Sequence, residues 1–78
     1  MIKIQEILPL GTTTIGNIKI FDVRLKFTDG STRLWELTIE PQLKKLGCPV
    51  TRLSETKKLK EWILGEGRSF FEESVNRR

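Results

Sequence analysis

Two stretches in the first half of the chain alternate between apolar and polar side chains. They are residues 18–28 (IKIFDVRLKFT) and residues 32–40 (TRLWELTIE). Alternation with a period of two predicts β-strands that each bury one face. Asp29 and Gly30 lie between the two stretches, and this pair is a frequent hairpin turn. The sequence therefore predicts an antiparallel hairpin, which is the strongest local signal in the chain.

The register of this hairpin follows from the requirement that both strands turn their apolar residues to the same side. An odd-length loop meets this requirement, whereas a two-residue loop places the two apolar sets on opposite faces. The register that we favour places Arg24 opposite Glu36, and such opposite-charge pairs stabilise a sheet by roughly 0.2–1 kcal/mol. A register shifted by two residues gives Gly30 its preferred place before a bulge, but it sets Asp22 against Glu36.

Residues 2–8 (IKIQEIL) predict an earlier strand that carries a bulge. Their alternation changes phase at Glu6–Ile7, which is typical of one extra residue in a strand. We expect Pro9 and Gly11 to end this strand. Residues 11–17 (GTTTIGN) are rich in turn-forming residues, so we expect a loop there.

The second half of the chain has helical signals. Residues 41–46 predict a short helical stretch that begins with a proline and is closed by Gly47. Ser54 is a good N-cap for a longer helix that Gly65 would end. The apolar stripe of this helix consists of Leu59, Trp62 and Ile63.

Ser69 and Glu72 have the spacing of a capping box, which predicts a last helix over residues 70–76. The helices are the elements available to cover the apolar face of the sheet. The predicted fold class is therefore α+β. It consists of a three-stranded antiparallel β-meander followed by two or three short helices packed on one face, in the order β-β-β-α-α.

The length and composition fit one small domain. The chain has 78 residues, of which 37% are hydrophobic and 31% are charged, as in folded globular proteins. We expect a single domain over residues 1–78, with the sheet at about 2–40 and the helical part at about 41–76. A chain of this size buries only about 60% of its unfolded surface, so oligomerisation would add useful burial.

The single cysteine, Cys48, excludes an intramolecular disulfide. Small secreted domains usually depend on disulfides or a metal, so we expect a reducing compartment and a cytoplasmic location. The N-terminal apolar stretch is interrupted by polar residues and does not resemble a signal peptide. No run approaches the roughly 18 apolar residues of a membrane span, so we expect no membrane partner.

Catalytic chemistry has little support in the sequence. The chain has no histidine, which removes the commonest general base and metal ligand. Cys48 has no histidine to activate it and is interpreted as a small apolar filler. Glu72 and Glu73 are neighbours on a helix and do not face each other, and Glu72 is interpreted as a solvated capping residue. We therefore expect a non-enzymatic protein with no catalytic residue, no metal site and no cofactor.

The net charge of +4 is compatible with an anionic partner. Lys57, Lys58, Lys60 and Arg68 are the candidate contacts to the phosphates of a nucleic acid. A solvated helix face is the simpler interpretation of the lysines, because Glu61 interrupts the run.

Phe70 and Leu34 are the candidate interface residues, because the predicted elements leave both side chains without a place in the core. The polar residues on the outer side of the hairpin favour a contact at a sheet edge or at the last helix. Our first hypothesis is an interaction or accessory module that binds itself or another protein, most simply as a homo-oligomer. The alternative is a small basic protein that binds DNA or RNA.

Overall fold

The computed structural model describes residues 1–77, and these residues form a three-stranded antiparallel sheet followed by two α-helices. The elements are β1 (Ile4–Ile15), β2 (Ile18–Phe27), β3 (Thr32–Thr38), a short helical turn (Ile39–Leu43), α1 (Thr56–Leu64) and α2 (Arg68–Asn76). The strands lie in the order β1-β2-β3, so β1 and β3 form the edges of the sheet. The predicted α+β class is confirmed.

Strand β1 is longer than predicted and contains two irregularities. The pairing with β2 shifts between Ile4 and Glu6, next to the predicted change of phase, and again between Pro9 and Gly11. The predicted loop at residues 11–17 is wrong, because this segment pairs with β2 as far as Ile15. Threonine and isoleucine suit an extended backbone, and an edge strand tolerates Pro9 because its missing N–H can face away from the sheet.

The register that we favoured for the β2–β3 hairpin is wrong by two residues. Asp22 lies opposite Glu36, which is the pairing of the shifted register. Gly30 has a φ of +88° and its N–H donates to the Phe27 carbonyl at 2.9 Å, while the Phe27 N–H donates to the Ser31 carbonyl at 2.9 Å. These bonds define a three-residue loop with glycine at the left-handed position, and this geometry outweighs one cross-strand charge pair. The expectation that both strands share one buried apolar face is confirmed.

Helix α1 begins after Glu55, and Ser54 is not its N-cap. The Glu55 carboxylate instead accepts hydrogen bonds from the N–H groups of Thr51 (2.9 Å) and Arg52 (3.0 Å) in the preceding loop. These bonds to backbone donors lower the pKa of Glu55 to about 2, with the Thr51 N–H as the largest cause. The loop before α1 is therefore organised around one carboxylate.

Helix α2 begins at Arg68, two residues before the predicted start, and no side chain caps its first turn. The predicted capping box is wrong. Ser69 is exposed, and Glu72 is buried and bonds outside its own helix. Gly67 lies against Trp62, since a Cβ atom at this position would lie 2.6 Å from the Trp62 ring.

The core lies between one face of the sheet and the helical half of the chain. The largest fully buried side chains are Phe21, Phe27, Phe71, Leu25, Leu37, Leu43, Leu59, Ile63 and Val23. The stripe predicted for α1 is buried as expected. The sheet face opposite the helices (the outer face) is left uncovered by these elements.

Candidate interaction surface

The outer face carries exposed leucines among its polar residues. Leu34 on β3 is 66% exposed and Leu8 on β1 is 46% exposed. Arg24 pairs with Leu8 on one side and with Leu34 on the other, so the three residues form a row across the sheet. The outer face is therefore less polar than the sequence pattern suggested.

The structure brings Leu34 and Phe70 to the same strand. Leu34 lies on the outer face of β3, whereas its neighbour Trp35 lies on the face that packs on the helices. Phe70 on α2 is 37% exposed, and its ring centroid lies 6.0 Å from that of Trp35. Strand β3 with Phe70 beside it (the β3 edge) therefore offers apolar side chains on both of its sides.

An aromatic cluster fixes this arrangement to the core. Phe71 is fully buried, and its ring centroid lies 5.1 Å from Trp35, 5.0 Å from Phe70 and 6.2 Å from Trp62. The contacts with Trp35, Phe70 and Trp62 are close to perpendicular, which is a favoured geometry for aromatic pairs. Within residues 1–77, Trp35 Nε1 is the buried side-chain polar atom without a hydrogen-bond partner. The β3 edge is thus joined to the core through the contact of Trp35 with Phe71.

The backbone of β3 also has unused hydrogen-bonding groups. Residues of an antiparallel strand alternate between bonding to one neighbour and facing away from it. Because the Phe27 N–H bonds to the Ser31 carbonyl, the alternation turns the N–H and C=O groups of Thr32, Leu34 and Glu36 away from β2. In the described part of the chain, no backbone group of these three residues bonds outside the sheet.

Strand β1, at the opposite edge, is a poorer template for pairing. It contains two bulges and Pro9, which interrupt a regular row of donors and acceptors. Bulges and prolines are devices that protect edge strands from unwanted pairing. Strand β3 is regular over its seven residues and has neither device.

The four cations predicted for nucleic-acid contact have different environments. Lys57 and Lys60 are exposed on α1, and Lys58 lies 3.3 Å from Glu55. Arg68 is engaged inside the fold, because its guanidinium donates to the Leu64 carbonyl and to Glu72 Oε2, both at 3.0 Å. These residues do not form one unpaired basic patch.

Sequence reasoning missed the role of Glu72. Its side chain accepts a hydrogen bond from the Ile4 N–H at 2.7 Å and forms the ion pair with Arg68. Next to it, Asn76 accepts from the Ile2 N–H at 3.0 Å and donates to the Ile2 carbonyl at 2.8 Å. The interpretation of Glu72 as solvated is wrong, because tertiary contacts bury it between α2 and the start of β1. No local pattern in the sequence indicates a contact over this distance.

Cys48 lies in the core, as expected for a small apolar filler, and burial raises the pKa of its thiol. It borders a cleft of about 380 Å³ whose exposed walls carry Lys19, Glu40 and Lys44. Lys44 and Glu40 are paired with each other at 3.5 Å. Among residues 1–77, no group of three or more His, Cys, Asp or Glu side chains is placed to hold a metal ion. The described residues that line the cleft include neither a residue of β3 nor Phe70, so the cleft is separate from the β3 edge.

Within the same residues, no helix has the length and apolar character that a membrane crossing requires. Comparison with known proteins gives no family model, no curated protein and no solved structure that matches this chain.

Proposed function

We propose that this protein is a small, non-enzymatic interaction module that binds an extended segment of a protein partner along the β3 edge. The observation that carries this proposal is the convergence of Leu34 and Phe70 on one unprotected edge strand. The contact surface thus joins the sheet edge and the last helix, the two places that the sequence favoured.

An extended peptide can bind by adding a strand to the sheet next to β3. Main-chain hydrogen bonds supply affinity, and side chains on both sides of the strand supply specificity. Thr32, Leu34 and Glu36 provide the outward backbone groups. Leu34 provides an apolar contact on the outer face, and Trp35 with Phe70 provides one on the helix side.

The contact is small, so we expect modest affinity. Stable interfaces bury about 1,200–2,000 Å² in total, and binding must also offset the entropy lost on association. A strand of seven residues with one flanking aromatic ring offers few side chains to such a contact. A reversible complex is therefore the expected outcome.

Nucleic-acid binding has weaker support and remains the alternative. Lys58 is paired with Glu55, and Arg68 is engaged by Glu72 and Leu64. Lys57 and Lys60 alone are a small number of contacts for a sequence-independent binder. The cytoplasmic location is part of the proposal and rests on cysteine usage alone.

The proposal is tested with two extended peptides as probes. One corresponds to residues 31–38 of this chain, and the other consists of alternating threonine and valine residues. Each peptide is titrated into the ¹⁵N-labelled protein while amide shifts are followed by NMR. We expect the largest shifts at Thr32, Leu34 and Glu36, with smaller shifts along β1.

Two variants control this titration. Leu34→Pro removes a central outward N–H without removing a bond to β2, so it should abolish peptide binding in a folded protein. Leu8→Lys changes an exposed leucine of the same outer face but leaves the β3 edge intact, so binding should persist. Absence of shifts with either peptide, or shifts confined to β1, would contradict the proposed function.

A further inference from the structure

We infer that the partner at the β3 edge is a second copy of this chain, paired antiparallel with β3 about a two-fold axis through Leu34. The inference rests on the proposed use of the β3 edge and adds the identity and register of the partner. Both copies would then contribute their sheets to one continuous sheet of β1-β2-β3-β3-β2-β1 order.

The backbone selects the position of the axis. With the axis through Leu34, Leu34 faces its counterpart and Thr32 faces Glu36 of the second copy. All three residues turn their N–H and C=O groups away from β2. Every outward N–H of these residues therefore meets an outward C=O in the other copy.

Neighbouring registers pair fewer of these groups. An axis through Trp35 places Thr32 opposite Thr38, and the Thr38 N–H already donates to Gln42 Oε1 at 3.2 Å. An axis through Arg33 places Glu36 opposite residue 30, which lies in the hairpin loop before β3 begins. The axis through Leu34 is the register that leaves none of the three outward residues unpaired.

The side chains favour the same register. On the outer face it brings two exposed leucines together, and it lets the Thr32 hydroxyl face the Glu36 carboxylate. On the helix side Arg33 lies opposite Trp35 of the second copy, since both residues occupy that side of β3. A cation within about 6 Å of an indole ring is a favourable pair. Axes through Arg33 or Glu36 would instead oppose identical charges.

Phe70 is placed to flank this contact. A two-fold axis perpendicular to the sheet keeps the helices of both copies on the same side. Phe70 packs against Trp35 on that side, next to the position that Arg33 of the second copy would take. This accounts for a partly exposed aromatic ring in the first turn of α2.

Cysteine cross-linking tests the register. In a Cys48→Ala background, Leu34→Cys should form a disulfide-linked dimer on mild oxidation. Hydrogen-bonded pairs have Cα atoms about 5.5 Å apart, within the 4.4–6.8 Å range of disulfides. Thr32→Cys alone and Glu36→Cys alone should not link, because each lies about 13 Å from its own counterpart along the strand. A mixture of the two should link. If Cys48→Ala does not fold, the native background serves, since its thiol is buried.

Leu8→Cys is the matched control, because Leu8 is an exposed leucine of the same outer face on the other edge strand.

Sedimentation equilibrium of the unaltered chain should show the mass rise from 9.0 kDa toward twice that value with concentration. The inference is overturned if Leu34→Cys links no faster than Leu8→Cys, if Glu36→Cys links alone, or if the chain stays at 9.0 kDa. If these tests fail while the peptides still bind β3, the proposed function as an interaction module is retained and the partner is another protein. Should the peptides also fail, both proposals are wrong.

Discussion

The Glu72 carboxylate joins the first strand to the last helix. It accepts from the Ile4 N–H at 2.7 Å and pairs with Arg68 at 3.0 Å, and its side chain is only 11% exposed. A buried acceptor that serves a backbone donor and a cation at the same time is costly to remove, because the buried Ile4 N–H is left without a partner and Arg68 loses its ion pair. This residue ties the two ends of the fold together.

Glu72→Ala should lower the free energy of unfolding by about 1–3 kcal/mol, the cost of leaving a buried donor without a partner. Glu73→Ala is the control, because Glu73 is exposed and its 3.9 Å pair with Arg77 is on the surface. Exposed pairs are worth about 0–1 kcal/mol. Urea denaturation of both variants measures the difference. Equal losses of unfolding free energy would show that the buried contacts of Glu72 do not stabilise the fold.

Glu55 should make the loop before α1 sensitive to acid. Folding lowers the pKa of this carboxyl from 4.5 to about 2, chiefly through the Thr51 N–H and also through the Arg52 N–H and the Lys58 ammonium group. A group whose pKa is lower in the folded state stabilises the fold above its unfolded value, and this contribution is lost as the pH falls. We expect the loss between pH 4.5 and about 2.

The Glu55 carboxyl is followed by ¹³C NMR, and its midpoint should lie near pH 2. Glu55→Gln should flatten the decline of stability over that window, whereas Glu66→Gln, at an exposed position between the helices, should not. A midpoint at the ordinary value would show that the loop hydrogen bonds do not form.

At the level of elements, the turn between α1 and α2 depends on the absence of a side chain at Gly67. A Cβ atom there would lie 2.6 Å from the buried Trp62 ring, so the ring or the backbone would have to shift. Gly67→Ala should therefore destabilise the fold by about 1–3 kcal/mol through overpacking. Thermal unfolding checks this. A variant as stable as the native chain would show that the helices are not packed this closely.

Ser69→Ala is the companion measurement on the same helix. Loss of a true N-cap costs about 1 kcal/mol. Because no side chain caps α2, this variant should have an unchanged melting temperature. A large loss would restore the capping box that the sequence pattern indicates.

Local patterns predicted some elements well and others poorly, and the reasons differ. Alternation identified β2 and its buried face, since that signal needs no information beyond the strand itself. The β2–β3 register was missed because the position of Gly30 in the loop outweighs the charge pair that we used. The extension of β1 to Ile15 was missed because residues 11–17 are of types that favour turns, whereas pairing with β2 holds them extended as far as Ile15.

The candidate site was predictable only in part. Leu34 and Phe70 could be recognised as apolar residues without a core position, because this follows from element patterns. Their convergence on β3 depends on where α2 crosses the sheet, and that is a property of tertiary packing. The contact of Trp35 with Phe70 likewise depends on the packing of α2 and could not be read from the strand pattern.

The charge of the whole molecule separates the two function hypotheses. Each copy carries a net charge of +4, so two copies repel each other. At 0.1 M salt this repulsion is screened beyond about 10 Å, so added salt should strengthen self-association. Binding to nucleic acid should instead weaken as salt rises, because counterion release drives it. Sedimentation and DNA titration at low and high salt measure both. Association that falls with salt would contradict the β3–β3 contact.

Amide hydrogen exchange along β3 is the most direct test of the β3 edge as a binding surface. The N–H groups of residues 33, 35 and 37 should be protected at every protein concentration, because they face β2. Those of Thr32, Leu34 and Glu36 should exchange quickly in dilute solution and become protected on concentration. If the exchange rates of these three N–H groups do not change on concentration, or if protection rises along β1 instead, the assignment of the β3 edge is contradicted.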